Sequence, residues 1–440
     1  MAAAAAGSKR RVLVLTGGVL IAGAAMFASA GGSKEAPATP PAMISGKPLI
    51  DVHDKPATAI SAPAAAAVAA ELELDKMELV GDHYEAPLAD GRRAILTLDP
   101  KLQKQAEALL DQARAPRAAI VAMATDGRVL ALAGRRTDDT KGGKNGKFDF
   151  HLATDVWAPA ASVFKLVTAS ALIAAGVDPD EKVPYHGGLR SVVESNLHDD
   201  KRDYGKESLL YGVAHSNNAI VGKLAYQHLD PAKLDQVAHD IGLGAAIASS
   251  LAIPATFAEL DLPHEKTLDF ARASAGFEGS RLSVLGGALL AATFADDGNQ
   301  PAPRLIASIA GQDVQAPTPH RVVSEAVAKA VARMMVGTCN FGSAAKTFGK
   351  HAKVAVAGKT GTLAVSTPFY MENSWFVGYA PAEKPQIIVS VLLGNPENWH
   401  LRGHEAARRM IDRALSATSD GEGHDDAGEA SAKPRRKRHR

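Results

Sequence analysis

Apolar residues recur along this chain with more than one period, and each change of period marks out an element. Residues 93–98 read as a short strand, and Asp99-Pro100 then supplies an N-cap and a first helical position. Behind that pair Leu102, Ala106, Leu109 and Leu110 recur at helical spacing, which predicts one buried face. Two apolar runs, 118–124 and 128–133, flank Thr125-Asp126-Gly127 and predict a hairpin. Helical patterns dominate from 160 to 300, and residues 163–175 are apolar almost throughout, as in a helix buried on every side. Residues 354–357, 373–379 and 386–393 read as strands again, and 405–416 as a closing helix. Strands at both ends of a helical middle predict an α/β chain of the α+β kind: an antiparallel central sheet covered by helices, with an inserted all-helical lobe.

The two ends obey other rules. Lys9-Arg10-Arg11 precede residues 12–30, a stretch of 19 without a charge. That length crosses a bilayer as a helix with the basic cluster left on the cytoplasmic side. Ala28-Ser29-Ala30 before Gly31-Gly32 also makes a signal-peptidase site. An anchor and a cleaved signal therefore both stand, and either exports the folded part of the chain. Residues 31–70 are rich in Ala, Pro, Gly and Ser, and 417–440 are polar and charged; neither buries enough apolar surface to offset its ordering entropy. The expected organisation is a basic terminus at 1–11, an anchor or signal at 12–30, a linker at 31–91, one folded domain at 92–416 and a charged tail at 417–440.

Charge and cysteine usage narrow the picture further. The net charge is +1 with the signs interspersed, so no global field marks a nucleic-acid binder. The single cysteine, Cys339, cannot close an intrachain disulfide and reads as a small buried hydrophobe. His400 and His404 are four apart, but Gly403 interrupts them, and they read as loop or helix-edge histidines rather than metal ligands. The cationic end, Arg435 to Arg440, is either a solvated tail or a contact for anionic wall polymer or lipid headgroups.

The chemistry lies in three short polar motifs taken in order: Ser162-Val163-Phe164-Lys165, Ser216-Asn217-Asn218 and Lys359-Thr360-Gly361-Thr362. A Ser three residues before a Lys occurs about once by chance in a chain of this length. It occurs a second time here, at Ser343-Ala344-Ala345-Lys346. Ser162 opens the apolar helix, so that Lys165 shares its face and the helix start turns free N–H groups toward developing negative charge. Ser343 lies among Gly342, Lys346 and Gly349 and reads as an ordinary surface loop serine. Lys359 is not part of a phosphate loop, because the required upstream glycine position is Lys353.

Together the motifs resemble those of the transpeptidase domain of the penicillin-binding proteins, serine acyl-transferases that cross-link bacterial peptidoglycan. The resemblance extends to Leu96-Thr97-Leu98-Asp99-Pro100, to Gly276-Phe277-Glu278-Gly279 and to Trp375-Phe376-Val377-Gly378-Tyr379, and spans residues 92–416. It implies a monofunctional D,D-transpeptidase acting on stem peptides that end in D-Ala-D-Ala and acylated by β-lactams, with no metal or organic cofactor. Ser162 is then the nucleophile and Lys165 its base, made neutral by burial and a neighbouring cation. Ser216 relays a proton to the leaving amine, and Asn218 holds the peptide. Lys359, Thr360 and Thr362 bind the terminal carboxylate, and Gly361 leaves room for the substrate backbone. The N–H groups of Ser162 and Thr362 form the oxyanion hole. His215 has no task in this scheme and reads as structural. Ala160-Ala161 stand where the family usually has Pro-Gly, and Leu363 where a smaller residue is commoner. Two rivals keep the fold: a D,D-carboxypeptidase or serine β-lactamase with water as acceptor, and a non-catalytic partner of the wall-synthesis machinery.

Overall fold

The computed structural model describes residues 70–137, 140–247 and 251–421. The expected anchor, most of the expected linker and the basic end lie outside these residues. Among the described residues no helix is long and apolar enough to cross a membrane.

The central sheet has six antiparallel strands. In spatial order they are Ala357–Val365, Met371–Ala380, Ile387–Asn395, Arg117–Ala124, Val129–Arg136 and Lys147–Phe148. All nine residues of Ile387–Asn395 are buried, so this strand carries apolar side chains on both faces instead of alternating with polar ones. One face, with Phe376, Val389 and Val391, packs on Leu102, Leu109, Met410 and Ile411 of the first and closing helices. The other, with Trp375, Val377 and Ile388, packs on Leu285, Ala288 and Leu289 of the helix Val284–Ala295. Helices between Lys165–Ala174 and Leu268–Ser274 form the inserted lobe. The α+β architecture read from the sequence is thus the architecture found.

Local signals explain several boundaries. The Asp99 side chain accepts from the Lys101 and Leu102 amides, and Pro100 opens the helix Pro100–Ala113. That helix buries Leu102, Ala106, Leu109 and Leu110, the face its spacing predicts. The hairpin turns at Thr125-Asp126-Gly127 with Gly127 at φ +87°.

Three boundaries differ from expectation. Strands Glu78–Val80 and His83–Pro87 fall inside the stretch read as linker; they pair with each other, and His83–Pro87 pairs with Arg93–Leu96, in a second, five-stranded sheet. Tyr84 and Ala86 alternate into the core there, but flanking Glu, His and Arg residues mask so short a period. The strand expected at 354–357 is instead Ala357–Val365, which contains the whole Lys-Thr-Gly-Thr motif. Its polar residues are held by pairing with Met371–Ala380, a partner that a local window does not see. The closing helix, Gly403–Gly421, runs beyond residue 416 into the stretch expected to be unstructured.

Candidate active site

The Ser-x-x-Lys motif spans a change of helix type. Residues Ala161–Phe164 form a 3-10 turn, and the α-helix Lys165–Ala174 continues from it. The sequence predicts a plain helical first turn; the tighter turn eclipses residues i and i+3, which sets Lys165 directly against Ser162. Ala161 takes φ +50° to start it. A side chain in that left-handed region costs roughly 1–2 kcal/mol, so the rest of the site must over-determine this conformation.

Lys165 Nζ has three partners: Ser162 Oγ at 2.8 Å, Asn218 Oδ1 at 2.7 Å and the Ala275 carbonyl at 2.6 Å. The two carbonyl oxygens can only accept, so they take two N–H bonds. A neutral amine then keeps its lone pair for the Ser162 hydroxyl. Lys165 is completely buried, and no carboxylate pairs with it among the described residues. Burial first, and the nearby Lys359 second, push its pKa well below the ordinary lysine value.

Ser216 sits between two helices, Leu209–Ala214 and Asn218–His228, at φ +56°. Asn217 caps the second helix by accepting from the Ile220 amide at 3.1 Å. The middle residue of the motif, to which sequence reasoning gave no role, therefore fixes the turn that presents the other two. His215 stacks on Tyr211 with ring centroids 4.1 Å apart, and burial holds its pKa below the usual histidine value.

Lys359 reaches back from the edge strand of the sheet. Its Nζ donates to Ser216 Oγ at 3.0 Å and to the Thr360 carbonyl at 2.8 Å. Burial lowers its pKa to about 7. Gly361 lies beside the nucleophile: a Cβ there would stand 3.4 Å from the Ser162 amide. Thr360 and Thr362 line a groove of about 720 Å³ with Ser343, Trp399 and Arg402. Cys339, next to this strand, is fully buried, and burial drives its thiol pKa upward, as suits a packing residue.

All eight sequence-predicted site residues thus come to one cleft. Ser343 corrects the reading given to it. It is exposed on a turn, but its Oγ lies 2.6 Å from Thr360 Oγ1 and it lines the same groove. Its backbone amide donates to the Ala214 carbonyl at 3.0 Å, which ties the turn to the helix before Ser216. Only these long-range partners reveal the position.

With the geometry in place, comparison with known proteins identifies the family. The penicillin binding protein transpeptidase domain matches residues 118–414, well over half of the chain. The chain belongs to that family. It is 28% identical over 323 residues to a probable peptidoglycan D,D-transpeptidase PenA of Neisseria flavescens, covering 70% of this chain and 77% of that protein. It is 29% identical over 255 residues to the peptidoglycan D,D-transpeptidase PbpA of Mycolicibacterium smegmatis, covering 53% of this chain and 49% of that one. The chain thus spans about half the length of some curated relatives. Among solved structures, penicillin-binding protein A from M. tuberculosis, as its ceftriaxone acyl-enzyme complex, superposes with a TM-score of 0.60 at 22% identity. That match covers 74% of this chain and 80% of the other, and it speaks to the fold.

Proposed function

We propose that this penicillin-binding protein is a peptidoglycan D,D-transpeptidase working through an acyl-serine at Ser162. The observation that carries the reading is the Lys165 amine, buried, without a carboxylate and 2.8 Å from the Ser162 hydroxyl. Neutral Lys165 takes the hydroxyl proton as Oγ attacks the carbonyl of the penultimate D-Ala. The Ser162 and Thr362 amides hold the oxyanion, each worth about 3 kcal/mol of barrier. As the tetrahedral intermediate collapses, Ser216 passes a proton to the departing D-Ala amine, and Lys359 supports that hydroxyl. A second stem peptide's amine then attacks the ester, and the proton transfers run in reverse. Asn218 has its oxygen committed to Lys165 and offers its amide N–H groups to a substrate carbonyl. Lys359, Thr360 and Thr362 receive the terminal carboxylate, and β-lactams enter by the same contacts.

The domain works on the extracytoplasmic side of the membrane, where peptidoglycan is found. Residues 12–30, with Lys9-Arg10-Arg11 inside, supply either a single-span anchor or an export signal cleaved near Ala30. Intact-mass analysis after penicillin treatment tests the reading. One adduct per chain on Ser162, lost in Ser162→Ala, is expected, with slow release and no sustained turnover. Rapid hydrolysis of the drug would transfer the chain to the water-accepting enzymes.

A further inference from the structure

A polar cluster outside the cleft has no place in the mechanism above. His186 Nδ1 lies 2.6 Å from Asp203 Oδ1, and Nε2 lies 3.0 Å from Ser195 Oγ. The His186 carbonyl accepts from Asn196 Nδ2 at 2.9 Å. Buried Lys223 donates to the Pro184 carbonyl at 2.7 Å and pairs with Asp199 at 2.8 Å and Asp203 at 3.8 Å. Every polar atom of His186 beyond its amide is therefore engaged.

The segment this cluster holds, 186–204, joins two short strands, Lys182–Tyr185 and Gly205–Ser208. It buries little apolar surface of its own: Val192 and Leu197 are inside, but Leu189 is 81% exposed and Tyr204 73%. Polar bonds must supply what packing does not.

The next two residues along touch the catalytic motif. The Gly187 carbonyl accepts from Asn217 Nδ2 at 3.2 Å, and the Gly188 carbonyl accepts from the Asn218 amide at 2.7 Å. Gly188 adopts φ +86°, and a Cβ on it would fall 2.2 Å from Asn217 Oδ1. The segment's backbone thus lies flush against Ser216-Asn217-Asn218, and Asn218 in turn holds Lys165.

We infer that His186, locked by Ser195 and by an Asp203 that Lys223 pairs with, is a positioning residue for the Ser-x-Asn motif and, through Asn218, for the Lys165 base. This inference rests on the roles proposed for Asn218 and Lys165. The Ser195–His186–Asp203 chain has the connectivity of a hydrolase triad, but here its product is a fixed pair of glycine carbonyls.

The test measures the rate of Ser162 acylation by a fluorescent penicillin in the full chain, for wild type, His186→Ala, Asn218→Ala and the double variant. His186→Ala is expected to slow acylation at least about tenfold, since small misplacements of catalytic groups are costly. The loss should fall in the covalent step and not in the preceding binding. In the Asn218→Ala background the same change should cost less than about twofold, the non-additivity of a coupled pair. An equal factor in both backgrounds, or no effect in the single variant, overturns the inference, as does penicillin label on Ser195. If His186→Ala does not fold, His186→Gln, which reaches only one of the two ring partners, is judged by the same ratios. Wild type that is not acylated at all would instead sink the proposed function.

Discussion

Two Ser-x-x-Lys sequences stand in this chain, and their surroundings suit one to the proposed acylation and make the other a turn. Ser162 and Lys165 meet across a 3-10 turn that leads into a buried helix, and two carbonyl oxygens hold the amine against the hydroxyl. Ser343 and Lys346 lie on an exposed run of turns after the helix Glu325–Asn340; Ser343 bonds sideways to Thr360, and Lys346 stands in solvent. The spacing is the same in both. What differs is desolvation, which lowers the basicity of the buried lysine so that its neutral amine, the form able to accept a proton, is populated.

Lysine substitutions should break the comparison most sharply. Lys165→Ala is expected to slow acylation of Ser162 by roughly a hundred- to ten-thousandfold, the usual range for a lost general base. Lys346→Ala should stay within about twofold. Rates of labelling by a fluorescent penicillin measure both. Comparable losses at the two lysines would mean that burial is not what separates the motifs.

A pH profile sharpens the contrast within the buried site. Lys165 and Lys359 are both fully buried and close enough to interact, and each has its ammonium form disfavoured by burial. Lys165 must be neutral to accept a proton, so acylation should fail on the acid side as it becomes charged. Lys359 must be charged to attract a carboxylate, and its pKa is about 7. As pH rises through that value its charge is lost, so capture of a carboxylate-bearing penicillin should weaken. The corresponding penicillin ester has no carboxylate to lose, and its profile should keep only the acid limb. An alkaline decline of equal size for both compounds would remove Lys359 from carboxylate recognition.

The same contrast explains what was legible in the sequence. The Asp99 cap and the Asp126-Gly127 turn are local patterns that stand where the sequence predicts them, and the three motifs, also local, come together in space. What escaped depends on partners far along the chain. His83–Pro87 is a strand because Arg93–Leu96 pairs with it, and that strand pairs in turn with Ile306–Ile309. The Lys-Thr-Gly-Thr strand owes its start at Ala357 to Tyr379 opposite. His186 and Asp203 meet because the strands at either side of them pair, Tyr185 with Gly205. No window of single-sequence periodicity contains these pairings.

Ser343 offers the smallest and most discriminating test, because it belongs to the decoy motif by sequence and to the groove by contact. Its hydroxyl and that of Thr360 are 2.6 Å apart, so each limits the rotation of the other. Without Ser343 the Thr360 hydroxyl loses one fixed partner and must be ordered by the incoming carboxylate. A neutral hydrogen bond is worth about 1 kcal/mol net, so Ser343→Ala should weaken capture of a carboxylate-bearing penicillin roughly fivefold. Acylation by the ester should be unchanged, since Ser162 and Lys165 are untouched. A loss shared by acid and ester would assign the Ser343 hydroxyl to shaping the cleft, since the backbone bond to the Ala214 carbonyl survives in the alanine variant. A loss confined to the acid would make the turn after the helix Glu325–Asn340 a working wall of the carboxylate pocket, built from the Ser-x-x-Lys sequence that carries no nucleophile.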